Sequence, residues 1–203
     1  MDISTRFNPA IYGSLDVVNV NRMKPFSFVT NRAFGFSFLM PVGFTGDETL
    51  VLNSQQYKSR ALYIRLKDPA GQPVSIDVMI DPVGSKSWLQ ESQSGRFEAR
   101  WDTGLRNYLH RKLSLDPDVE IEDYFGSLNE NFARASGPSF KYLHIQDKAK
   151  SWIVYSQYFA GKMVVVSIPV STGQLRKAFE TLDRNEFSKF DSRLTVAGSF
   201  SPF

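Results

Sequence analysis

"SWIVYSQYF", residues 151–159, is apolar on both of its faces. Trp152, Val154 and Tyr158 fall at even positions, and Ile153, Tyr155 and Phe159 at odd ones. Successive side chains of a β-strand point to opposite faces. The stretch therefore predicts a central strand covered on both sides. What covers it decides the layering: two helical layers, or a helix on one face and a partner on the other.

Its neighbours extend the sheet. "KMVVVSIPV" (162–170) follows after Ala160-Gly161, a link short enough to force an antiparallel hairpin, and "FKYLHIQ" (140–146) precedes it. Upstream, "ALYIRLKDPAGQPVSIDVMID" (61–81) is a second hairpin. Leu62, Ile64 and Leu66 alternate with Tyr63, Arg65 and Lys67. The chain turns at Asp68-Pro69-Ala70-Gly71. Val74, Ile76, Val78 and Ile80 then alternate with Ser75, Asp77, Met79 and Asp81. Asp77 and Asp81 share the polar face and are expected in solvent, with nothing apolar around them to raise a pKa.

In "RAFGFSFLMPVGF" (32–44), Phe34, Phe36, Phe38 and Met40 share one face, with Gly35, Ser37 and Leu39 opposite. The alternation predicts a strand with an aromatic core face, ended by Pro41 and Gly43. An exposed aromatic stripe for a partner is the alternative.

Two stretches change period. Phe97, Trp101, Leu105, Leu109 and Leu113 step by four, with Tyr108 beside them, which predicts an amphipathic helix from near Ser87. Gly104 inside it costs up to about 1 kcal/mol against alanine and is a candidate for close packing. Arg96, Arg100, Arg106, Arg111 and Lys112 are interrupted by Glu98 and Asp102, as on a solvated helix face rather than a phosphate grip. "STGQLRKAFETLDRNEFSKF" (171–190) sets Leu175, Ala178, Phe179, Leu182 and Phe190 close to one stripe, with Ser171 or Thr172 as N-cap. The tail "LTVAGSFSPF" is a candidate edge strand. The expected fold class is α+β: an antiparallel β-sheet of about six strands flanked by two long amphipathic helices, an α/β/α sandwich. Residues 1–30 read as an N-terminal arm or edge extension and 31–203 as a single domain.

Composition bounds the chemistry. The 203 residues contain no cysteine, which excludes disulfides, thiolate zinc sites, cysteine nucleophiles and iron–sulfur clusters. The net charge of +3 is too mild to imply nucleic acid. Residues 114–132 carry Asp116, Asp118, Glu120, Glu122, Asp123 and Glu130 and no Lys or Arg. The N-terminus lacks a basic segment leading into an apolar run, and no apolar run approaches the ~20 residues of a membrane span, so a cytoplasmic location is expected.

No nucleophile elbow, Walker A loop, Rossmann glycine pattern or His-Glu-x-x-His is present. His110 and His144 have no third ligand and read as lone histidines. No catalytic residue, metal or cofactor is expected, and the chain reads as a non-enzyme. Aromatics on a sheet suggest base stacking, but the RNP-type pattern is missing and the acidic segment lies just upstream, so nucleic acid is disfavoured.

The order of elements, opening on "GFSFLMPVGF" (35–44) and followed by a hairpin, a helix, antiparallel strands and a closing amphipathic helix, resembles the PsbP-like fold over roughly residues 33–200. That group includes a photosystem accessory protein, a Ran-binding nuclear import factor and the Eag-type chaperones of type VI secretion effectors. The resemblance implies a curved antiparallel sheet between helices, no catalysis and a protein-binding role. The first 30 residues, the long helix and the acidic insert depart from the pattern, and no family binding residue carries over.

Three readings follow. The first is an interaction module, an adaptor or chaperone in a bacterial secretion or assembly system, binding an apolar segment through Phe34, Phe36, Trp152, Tyr155 and Tyr158. The second is a structural subunit of a phage virion or secretion machine. The third is an immunity-type inhibitor that presents Asp116, Asp118, Glu120 and Glu122 to a basic site. In each the partner is another protein or assembly subunit.

Overall fold

The structure, a computed structural model, describes residues 15–18, 26–54, 59–80, 96–123, 140–148, 150–159, 161–171, 173 and 191–203. Its elements are β1 (Leu15–Val18), β2 (Phe26–Asn31), β3 (Phe36–Pro41), β4 (Thr45–Ser54), β5 (Ser59–Lys67), β6 (Pro73–Ile80), helix α1 (Arg96–Leu113), β7 (Ile121–Asp123), β8 (Phe140–Asp147), β9 (Lys150–Phe159), β10 (Lys162–Ser171), helix α2 (Leu194–Gly198) and β11 (Ser201–Pro202).

These elements overturn the expected single sheet between two long helices. The described strands form two antiparallel sheets, one in the order β1-β2-β3-β11 and one in the order β4-β5-β6-β10-β9-β8-β7. The described helices have 18 and five residues. The predicted closing helix over 171–190 lies almost wholly outside the described residues. The physical reason is the corner at 41–44. Phe44 N donates to Pro41 O at 3.3 Å. Gly43 takes φ +89°, and a Cβ there would stand 3.0 Å from the Pro69 ring, so the bend needs glycine. β3 therefore leaves its sheet and β4 begins the other, instead of both lying in one plane.

The larger sheet has two unlike faces. Leu62, Ile64, Leu66, Val74, Ile76, Val78, Val164, Val166, Ile168, Ile153 and Tyr155 pack against the smaller sheet and α2. Ala61, Met79, Val165, Val154, Leu143, Ile145 and Ile121 pack under Leu105, Tyr108 and Leu109 of α1. β9 lies between β10 and β8 and is covered on both faces. One cover is a helix, as allowed for. The other is a second sheet of this chain, where a partner or a second helix was expected.

Phe36, Phe38 and Met40 of β3 are fully buried, and Phe34, in the turn before it, is 5% exposed. Asn31 Oδ1 holds that turn by accepting from Phe34 N at 2.9 Å. Phe36 and Phe200 stack at 5.1 Å between centroids, and Phe200 also meets Tyr155 at 5.7 Å. One phenylalanine thus ties the C-terminal segment to both sheets, at about 2–3 kcal/mol for burying such a ring. The candidate edge strand in the tail is β11, which pairs with β3. Phe203 N donates to Gly35 O at 2.9 Å, so the tail occupies the space beside Gly35.

Gly104 does not serve close packing. It is exposed, and a Cβ there would meet nothing within 4 Å. Gly104→Ala should raise stability by about 0.5–1 kcal/mol, read from urea unfolding with an unchanged slope. A loss of stability would place a neighbour over the glycine.

Candidate functional site

The polar face of the β5–β6 hairpin carries the largest correction to the sequence reading. Asp77 was expected in solvent and is fully buried. Helix α1 lies across it. Lys112 Nζ stands 2.7 Å from Asp77 Oδ2 and also donates to Ser167 Oγ at 2.7 Å. Arg65 reaches Asp77 Oδ1 at 2.5 Å from the neighbouring strand. The Tyr108 hydroxyl donates to Asp77 Oδ2 as well. Asp81 lies outside the described residues.

Burial alone would push the Asp77 carboxyl up. Lys112 and Arg65 outweigh it and hold Asp77 below the usual carboxylate range. Burial lowers Lys112 below an ordinary lysine, and Asp77 restores only part of the shift. A carboxylate held this low is a poor base at neutral pH. The arrangement anchors α1 to the sheet.

A second network joins the middle of α1 to the far strands. Arg106 Nε donates to Asp102 Oδ2 at 2.8 Å and Arg106 Nη2 to Asp123 Oδ1 at 2.9 Å. Lys141 Nζ donates to Asp102 Oδ1 at 2.8 Å, and Arg106 also donates to the Ile121 carbonyl. Burial raises Asp102, but the bonds from Arg106 and Lys141 leave it below its ordinary value. Arg106 and Lys112 are therefore engaged, not part of a solvated face, while Arg111 is exposed. The side chains of Arg96 and Arg100 lie outside the described residues.

The residues chosen for an apolar partner do not form one surface. Phe34, Phe36 and Tyr155 belong to the core between the sheets. Trp152 and Tyr158 lie on the opposite face, half-buried beside α1. Three of the five therefore have almost no surface to offer. Period-two alternation shows that a face is apolar, and cannot show whether the cover is the chain itself.

The acidic residues do cluster. Asp116, Asp118, Glu120 and Glu122 are all exposed along the segment that enters β7, the end strand of the larger sheet. Lys148 pairs with Asp116 at 2.6 Å, and His144 with Glu122 across β7–β8. Among the described residues Asp118 and Glu120 have no ion-pair partner. Separately, a cleft of about 610 Å³ is lined by Asp68, Gln72, Pro169, Val170 and Ser171, with Asp191, Ser192 and Arg193 opposite. Asp191 and Pro169 O hold the Arg193 guanidinium there. Among the described residues no group of three His, Asp or Glu is placed to hold a metal, and no helix is long and apolar enough to cross a membrane.

No family model matches the chain, and no curated protein does. Among solved structures it is similar to the solution structure of cyanobacterial PsbP (CyanoP) from Synechocystis sp. PCC 6803. Identity is 14%, the match covers 91% of this chain and 96% of that one, and the TM-score is 0.47. A likeness at that identity and score says nothing about what this chain binds.

Asp77→Ala should cost about 3–5 kcal/mol, because it strands two cations against a covered face. Asp77→Leu combined with Lys112→Met should recover most of that loss, since Arg65 can turn to water. Asp77 has a lowered pKa, so its contribution is complete above the ordinary carboxylate value of 3.8 and fades as acidification goes below it. Denaturant unfolding of the variants at pH 7 checks the first point, and acid titration of the native protein the second. A cost under 1 kcal/mol for Asp77→Ala would refute the anchor.

Proposed function

We propose that the chain is a non-catalytic protein-interaction module whose acidic edge engages a basic partner. The observation that carries this is the exposure of Asp116, Asp118, Glu120 and Glu122 together at one end of the larger sheet. Beneath and on α1, by contrast, Asp77, Asp102 and Asp123 are each neutralised by Arg or Lys from the chain itself. At the acidic edge the balance is partial: Lys148 pairs with Asp116 and His144 with Glu122, while all four carboxylates stay exposed. Its charge acts outward, raises the rate of encounter with a basic surface and loses strength as salt shortens the screening length to about 8 Å and below.

An adaptor or chaperone in a bacterial secretion or assembly system is the first form of this reading. An immunity-type inhibitor is the second, favoured by the same edge, because a basic active site is a natural counterpart of four exposed carboxylates. A structural subunit would show the same edge in contact with a neighbouring subunit. Trp152 and Tyr158, half-buried beside α1, are the aromatics left to add apolar contact.

The test is affinity purification from the native source, with and without nuclease, using the native chain and a variant carrying Asp116→Asn, Asp118→Asn, Glu120→Gln and Glu122→Gln. A stoichiometric protein should co-elute with the native chain, resist nuclease and fall at least tenfold with the variant or at about 0.5 M salt. Equal recovery on the folded variant would refute the acidic edge as the contact.

A further inference from the structure

Glu48 extends a row whose other members are all core. The register sets Glu48 opposite Ile64, Ile64 opposite Ile76 and Ile76 opposite Val166. Val166 is opposite Tyr155, and Tyr155 opposite Tyr142. Directly opposed residues of antiparallel strands share a face. The other five are buried between the two sheets, so the glutamate faces the same interior from its rim. Its Oε2 is closed off from solvent and has no hydrogen-bond partner.

β4 ends the larger sheet among the described residues. An inward-pointing charge on an edge strand is a known way to keep that edge from pairing further. Here the charge is conditional, since burial raises the Glu48 carboxyl to about 7.

No described charge faces it. On β5 the same face carries Leu62, Ile64 and Leu66, whereas Arg65 and Lys67 alternate to the other side, Arg65 onto Asp77. Asp47 alternates away on β4 itself. The layer opposite supplies phenylalanines, Met40 and α2. Other described charged groups have partners of their own: Arg193 with Asp191, Asp68 with the Gln72 amide and Lys162 with the Phe159 ring.

We propose that Glu48 makes β4 a proton-operated edge: the strand stays seated on β5 while this carboxyl is neutral, and opens readily once it ionises. The sign follows from linkage. Opening returns Glu48 to water, where it titrates near 4.5. Between that value and about 7 the seated strand holds a proton that the open strand has lost. The seated form therefore weakens as pH rises through this window, and is unaffected by pH below it.

Hydrogen exchange of the β4 and β5 amides at pH 5 and pH 8, corrected for intrinsic exchange, reads the opening equilibrium. The opening constant should be on the order of tenfold larger at pH 8, a value discounted from the full shift because the side chain lies at the rim and is partly in water. Glu48→Gln, which keeps shape and removes the proton equilibrium, should give equal constants at both pH values. Carbon-13 titration of the Glu48 carboxyl in the native chain should show a midpoint near 7. A midpoint near 4.5, or the same pH response in Glu48→Gln, would overturn the proposal.

Discussion

The larger sheet carries apolar residues on both faces, so both must be covered, and β6 shows how differently this chain covers them. Val74, Ile76 and Val78 enter an aromatic interior shared with β3 and Phe200. Ser75, Asp77 and Met79 on the other face meet a helix. The first face closes by apolar area alone, a contact that is strong and tolerant of small shifts. The second closes around one fully buried carboxylate, which demands cations at fixed positions. The placement of α1 depends on that demand. Lys112 and Tyr108 sit one helical turn apart, so both reach Asp77 from the same face of the helix.

The distribution of charge follows the same logic. Carboxylates beneath α1 are matched by Arg65, Lys112, Arg106 and Lys141 of the chain itself. At the two ends of the larger sheet the matching is incomplete. At the β7 end, Asp118 and Glu120 are exposed and have no ion-pair partner among the described residues. At the β4 end, Glu48 has no cation beside it among the described residues and no full access to water, and it holds its proton up to about 7. The two ends thus differ in kind. One presents exposed carboxylates suited to attraction at a distance, and the other is neutral or charged according to pH.

Much of the larger sheet was legible in the sequence. Alternation at Leu62–Lys67 and Val74–Asp81 and the short Ala160-Gly161 link identify β5, β6, β9 and β10, because period two and loop length are local properties. The exposure of the acidic segment was legible too, since a run of alternating carboxylates favours solvent, but its cations were not, because Arg106, Lys141 and Lys148 reach Asp123 and Asp116 from distant parts of the chain. The second sheet was not legible. "FSFVTN" and "FSFLMP" look like strands of any sheet, and only the corner at Pro41–Phe44 takes them out of plane. The burial of Asp77 was hidden for a related reason. Its partners Tyr108 and Lys112 lie more than thirty residues away, and the alternation that marks Asp77 as polar also marks true surface residues. Glu48 left no sequence signal, because an acidic residue in "TGDETL" becomes unusual only when the register sets it opposite Ile64.

The central claim is that β6, β10 and β9 form the twice-covered heart of the molecule. Native-state hydrogen exchange tests it most directly, because amides at such a heart open only with the whole fold. Val154, Val165 and Val166 should exchange slowest of all, at the rate set by global unfolding measured independently with denaturant. The amides of β1, β2 and α1 should exchange faster, through smaller openings. If β10 exchanged as fast as β1, or if α1 outlasted it, the account of a sheet held between a second sheet and an Asp77-anchored helix would be contradicted.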